Sequence, residues 1–229
     1  MSNNCYFLII MNRKNKNINE KNINGFIALF AMFIGAAAIA GFHGSKLVAV
    51  GPLVFDAGLI TFALTFLATD IVSEVYGKIY AKRLIAGGFI AIVIGLIFTK
   101  IALTLPGADG WELSSEYGAI FGSGSRVSIA LLATYITSQL TDIAVFAWIR
   151  KKTGSKYLWL RNNGSTMIGG LVDAVVFTTI AFYGVYDVLP IIMSAYAARV
   201  IISIVDTPFV YLGRNILYRL YPELKEGRE

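Results

Sequence analysis

The amino-acid sequence predicts an all-α polytopic membrane protein, a six-transmembrane-helix bundle with both termini cytoplasmic. Three observations carry this. Of 229 residues, 56% are hydrophobic and 15% charged, with a mean hydropathy of +0.66, too apolar for a soluble domain whose exterior must be wetted by charge. The apolar residues fall in six runs, each long enough to cross a hydrocarbon layer of roughly 30 Å. Lys and Arg gather in alternate connections, as they do where cytoplasmic loops retain positive charge.

Taken in order, residues 1–24 read as a cytoplasmic tail. A short apolar stretch from Cys5 to Met11 precedes the polar run NRKNKNINEKNIN, the wrong order for a cleavable secretory signal, and Met11 is a second candidate translation start. Spans are expected at 25–43, 48–69, 84–105, 127–149, 165–185 and 188–212, within a transmembrane domain of residues 25–213. Residues 214–229 form a cytoplasmic C-terminal tail. The small residues of GAAAIAG in span one, with Gly87–Gly88 and Gly169–Gly170, allow helices to approach closely. The Gly- and Ser-rich stretch from Pro106 to Ser125 reads as an exposed loop. Trp111, Trp148 and Trp159 fall near span ends, where indole rings anchor at the water boundary.

The basic residues set the orientation. Arg13, Lys14, Lys16 and Lys21 precede span one; Lys78, Lys82 and Arg83 follow span two. Arg150, Lys151, Lys152, Lys156 and Arg161 follow span four, and Arg214, Arg219, Lys225 and Arg228 follow span six. The opposite loops offer Lys46 and Arg126. The excess of six positive charges is therefore topological and argues against a nucleic-acid surface. One cysteine, Cys5, and one histidine, His43, cannot build a Cys/His metal site, and no cofactor is expected.

Ionisable side chains inside the bilayer are costly and mark function. Asp142 lies seven residues before the expected end of span four, roughly 10 Å deep at 1.5 Å per residue. Asp173 and Arg199 fall near the middle of spans five and six, and Asp206 near the depth of Asp142. Gln139 and Asp142 share a helix face with Tyr135 and Phe146, and Asp173 points with Phe177. Carboxylate, amide, guanidinium and ring together suit a planar heterocycle with adjacent N–H donors. The plainer reading is that Arg199 neutralises one aspartate to fix helix register. Three acids against one base also leave room for a protonatable aspartate, so a coupling ion or proton stays open. At the end of span two, Asp70 and Glu74 share a face, and Glu74 precedes Lys78 by the four residues of a helical salt bridge.

Three stretches, TFALTFLATDIVSEVYG (61–77), TSQLTDIAVFAWIRKKTGSKYLWLRNNGST (137–166) and DAVVFTTIAFYG (173–184), together resemble the queuosine precursor transporter family, also described as a vitamin uptake transporter family. The resemblance runs from about residue 45 to 212. It implies a six-helix carrier in the cell (inner) membrane that imports 7-deazaguanine compounds for tRNA modification salvage: 7-cyano-7-deazaguanine, 7-aminomethyl-7-deazaguanine or queuine. By motif match it points to Asp70, Glu74, Gln139, Asp142, Trp159, Arg161, Ser165 and Asp173. The chain departs from the family pattern in two places: Ala63–Leu64 in place of proline and isoleucine, and Arg199 in place of lysine, which an arginine does not replace as a proton carrier. Two other readings fit the same residues. One is the substrate-binding subunit of an energy-coupling-factor importer; the other is an intramembrane enzyme, for which the chain offers no membrane His or Cys. The expected partners are a planar deazapurine and the lipid bilayer, with no nucleic acid and with homo-oligomerisation open.

Overall fold

The structure is a computed structural model that describes residues 20–43, 46–122, 125–154 and 156–226; the expectations for residues 1–19, Met11 among them, lie outside these. In chain order the elements are α1 (Glu20–His43), β1 (Leu47–Val50), β2 (Leu53–Asp56), α2 (Gly58–Val75), α3 (Lys78–Thr104), α4 (Ser114–Phe121), α5 (Ser125–Thr153), α6 (Leu158–Phe182), α7 (Val188–Leu220) and α8 (Glu223–Glu226). Six of them, α1, α2, α3, α5, α6 and α7, are long and apolar enough to cross a membrane. The six-helix, all-α expectation holds.

Two element expectations are corrected. Span two, expected over 48–69, is a helix from Gly58 to Val75, and the apolar run before it is an antiparallel hairpin pairing Leu47 with Asp56 and Val50 with Leu53. The reason is Gly51–Pro52: Gly51 takes φ 58°, and Pro52 has no N–H for a helix. Between Pro106 and Ser125 the chain is not all loop. It forms the two-turn α4, which buries no residue.

The helices alternate in direction, and their contacts show which ends meet. Gly25 near the start of α1 lies so close to Tyr76, Leu217 and Tyr221 that an added Cβ would sit 2.7–3.0 Å from them. The start of α1 thus meets the ends of α2 and α7. Lys78, Lys82, Arg83, Arg150, Lys151, Lys152, Arg214 and Arg219 gather at this basic end. The turn joining α2 to α3 there is two residues long. The N–H groups of Tyr76 and Gly77 both donate to the Val72 carbonyl, at 2.8 and 2.9 Å, and Gly77 takes φ 92°, a conformation open to glycine.

Packing divides the interior. Phe33, Phe62, Phe66, Leu84, Ile85 and Tyr135 form one apolar core among α1, α2, α3 and α5, and Ile71, Phe146, Leu158, Val210 and Leu217 form another nearer the basic end. Outward, Ile90, Ile94, Ile97, Phe98 and Ile101 of α3 and Ile201, Ile204, Val205 and Phe209 of α7 are exposed, which is what lipid contact requires. The glycine pairs pack as expected: a Cβ on Gly88 would lie 2.3 Å from Tyr135 Oη and 2.4 Å from Phe33 Cε1. Gly88→Ala is therefore expected to destabilise the bundle by about 1–3 kcal/mol through overpacking, read as a lower melting temperature in detergent.

Candidate functional site

The expected site residues divide into three groups by position. The first is a narrow crevice between α2, α6 and α7, lined by Leu59, Ala63, Phe66, Thr166, Gly170, Arg199, Ile202 and Asp206, with about 20 Å³ of enclosed space. α2 and α7 run in the same direction with α6 antiparallel to both. Arg199 and Asp206, seven residues apart, therefore lie on one stripe of α7. Arg199 forms an ion pair with Asp173 of α6, the register-fixing pair of the plainer reading, yet it also forms part of the crevice wall. Its Nε is buried without an acceptor in the protein. Asp206 is half-buried and, among the described residues, makes no salt bridge. Gly170 makes this possible, because a Cβ there would stand 3.2 Å from Arg199 Cδ. Phe177 lies one turn from Asp173 toward the opposite end, its ring 6.0 Å from that of Phe182.

The second group lies behind Thr166. Asp70 is 2% exposed and Asp142 is completely buried. Thr166 Oγ1 donates to Asp70 Oδ2 at 3.3 Å, and Asp142 lies within reach of Asp70, Ser165 and Thr166. Even so, neither Asp142 oxygen nor Asp70 Oδ1 accepts a well-formed hydrogen bond. Gly169 lets α6 come this close to α5, since a Cβ there would meet Asp142 Cβ at 3.1 Å and the Ser138 carbonyl at 3.2 Å. Gln139 is also buried. Its Nε2 donates to Thr65 Oγ1 at 2.9 Å, and its Oε1 has no partner. Tyr135, on the same face of α5, belongs instead to the apolar core, where its hydroxyl donates to the Ile85 carbonyl at 2.8 Å.

The third group is a clamp at the basic end. Arg161, fully buried, donates from Nη2 to Glu74 Oε2 at 3.0 Å and from Nη1 to the carbonyls of Gly154 and Lys156 at 3.0 and 2.6 Å. Arg150 approaches the same carboxylate at 3.8 Å. One arginine thereby ties α2 to the α5–α6 connection, in which Gly154 and Tyr157 take φ 63° and 57°. The helical pair of Glu74 with Lys78 does not form. Gly77 ends the helix between them and leaves Lys78 exposed. Trp159 is 52% exposed, with its backbone N–H donating to Tyr211 Oη at 3.1 Å, which suits the anchoring reading.

Sequence reasoning missed Phe66, Thr166 and Gly170 as crevice residues. Phe66 precedes Asp70 by one helical turn, and Thr166 adjoins Ser165, so helical spacing from the acids held a signal for both.

A family model described as "Putative vitamin uptake transporter" matches residues 56–213, which takes in every helix of the crevice and of the buried acid pair. The chain belongs to this family. Among its curated relatives, the "Probable queuosine precursor transporter" of Bacillus subtilis (strain 168) is 30% identical over 84% of this chain and 86% of its own length. The "Queuosine precursor transporter" of Escherichia coli (strain K12) is 28% identical over 65% of this chain and 67% of its own. A "Probable queuosine precursor transporter" of Haemophilus influenzae is 30% identical over 69% of this chain and 60% of that relative. No solved structure matches. The chain is thus a multi-pass cell-membrane protein of a transporter family, not an enzyme family.

Proposed function

We propose that this transporter imports queuosine precursors or related 7-deazaguanine bases across the cell membrane, and that they bind in the crevice between α2, α6 and α7. The observation that carries the reading is a small crevice holding an aromatic ring, a buried N–H without an acceptor and a carboxylate without a cation: Phe66, Arg199 Nε and Asp206. A guanine-like edge carries an N–H and an amino group side by side, next to a carbonyl. Asp206 suits the two donors, Arg199 the carbonyl, and Phe66 a ring face. The crevice encloses about 20 Å³, far below the roughly 300 Å³ at which ligand sites begin, so its walls must part to admit a base. Gln139 and Asp142 stand behind this wall. Asp173 acts through its pair with Arg199, and Glu74 and Arg161 hold the helices that frame the crevice. The names of the relatives support the substrate class, and the basic end supports cytoplasmic termini.

Uptake of labelled 7-cyano-7-deazaguanine, 7-aminomethyl-7-deazaguanine and queuine, in a bacterial strain lacking its own synthesis and uptake, tests the proposal. Expression of this chain is expected to produce accumulation of at least one of the three. No accumulation of any, with the protein verified in the membrane, would refute it. Accumulation that appears when an ATP-driven coupling module is added would assign the chain to the binding-subunit class.

A further inference from the structure

We infer that Asp70 and Asp142 together hold a proton that is translocated with the substrate, so that the buried carboxyl pair is the coupling site of this carrier. The inference rests on the carrier reading above. Its starting point is a contact between acids with no cation paired to either among the described residues. Asp70 and Asp142 lie within hydrogen-bond reach of each other, at 2% and 0% exposure. The nearby arginines are engaged elsewhere, Arg161 and Arg150 at Glu74 and Arg199 at Asp173. Two adjoining carboxylates cannot both stay charged without a cation. A proton between them also answers the second observation: three of their four oxygens are buried and accept no well-formed hydrogen bond.

A proton fits where a metal ion does not. The crevice wall stops at Thr166 and includes neither Asp70 nor Asp142. A metal ion demands a cage of oxygens at fixed distances, whereas a proton between two carboxyls needs no cavity. Among the described residues, no group of three or more His, Cys, Asp or Glu side chains could hold a metal. Among the described residues the surroundings bring one further acid and no free cation. From α7 only Asp206 acts on Asp70 electrostatically. Glu74, one turn along α2, is held by Arg161 and Arg150. On the packed neighbours α1 and α3, His43 bonds Thr61 at the opposite end, and Lys78, Lys82 and Arg83 are exposed at the basic end.

Thr166 connects the pair to the substrate. Its side chain lines the crevice and its hydroxyl donates to Asp70. A ligand that draws this hydroxyl toward itself removes a hydrogen bond from Asp70 and changes how firmly the pair holds its proton. Linkage makes the effect reciprocal. The step is balanced: one proton enters the pair from one side of the membrane, travels with one substrate, and leaves to the other side.

Two measurements test this on the full chain. In proteoliposomes, counterflow exchange of labelled 7-cyano-7-deazaguanine reports carriage alone, and steady-state accumulation under imposed gradients reports coupling. One proton per substrate carries about a tenfold accumulation ratio for each pH unit of inward gradient. That is the result expected for the unmodified protein, with no response to a sodium gradient. Asp142→Asn is expected to keep exchange and lose accumulation. A sodium response in place of the proton response, or gradient-driven accumulation retained by Asp142→Asn, would overturn the inference. The second measurement needs no substrate. Infrared spectra of the purified protein at neutral pH should show a protonated carboxyl band that the double variant Asp70→Asn, Asp142→Asn loses and Asp206→Asn keeps. Absence of that band from the unmodified protein overturns the inference whether or not any variant folds. Failed exchange with the band present overturns the substrate reading and leaves the proton in place.

Discussion

Replacement of Arg161 by methionine is expected to destabilise the folded chain by about 3–5 kcal/mol, the cost of breaking a buried ion pair from one side. The guanidinium is fully buried and serves three acceptors at once. Its loss leaves the Glu74 carboxylate, 5% exposed, with Arg150 alone at 3.8 Å, and it strips two carbonyls of the α5–α6 connection of their donor. That connection contains Tyr157 at φ 57°, a left-handed conformation costing a non-glycine residue about 1–2 kcal/mol, which the surrounding bonds must hold in place. Thermal unfolding in detergent, followed by Trp fluorescence, should show a larger loss of stability than Gly88→Ala. Glu74→Gln should fall between them, since it keeps an acceptor for Arg161 but removes the charge. Near-native stability of Arg161→Met would show that the clamp is not structural and would return Arg161 to the candidates for substrate contact.

Asp206→Asn is expected to raise the KM for uptake by about 10- to 100-fold, with little change in stability. A hydrogen bond to a charged group is worth about 1.5–3 kcal/mol, and each 1.4 kcal/mol is roughly tenfold in affinity. The side chain is half-buried and has no salt-bridge partner among the described residues, so the amide leaves no opposite charge stranded. The functional loss follows from donor and acceptor pattern: a carboxylate accepts two adjacent N–H groups, whereas asparagine offers one acceptor and one donor. Competition by an analogue lacking the exocyclic amine separates this from a general disturbance. The unmodified transporter should prefer the amino compound, and Asp206→Asn should lose most of that preference. Equal preference in both would move the recognising carboxylate away from Asp206.

The sequence by itself determined the architecture. Six apolar runs and the alternation of basic connections require a six-helix bundle, because an unsatisfied backbone in lipid leaves helices as the economical way across. It also singled out the acids, since each charged residue inside a span is costly enough to stand out singly. Spacing along one helix correctly placed Asp70 beside Glu74 and Gln139 beside Asp142 on common faces. What spacing could not supply is which face of which neighbour each one meets. Arg199 had three acids to choose from, and the structure pairs it with Asp173. Asp142, read as a substrate ligand, lies against Asp70 with Thr166 between them and the crevice. Glu74 had a helical partner in Lys78, and a left-handed glycine between them turned it toward Arg161, 87 residues away in sequence. Those outcomes depend on helix rotation and on close approach at Gly169 and Gly170, which arise when six helices pack at once and leave no periodicity in any single one.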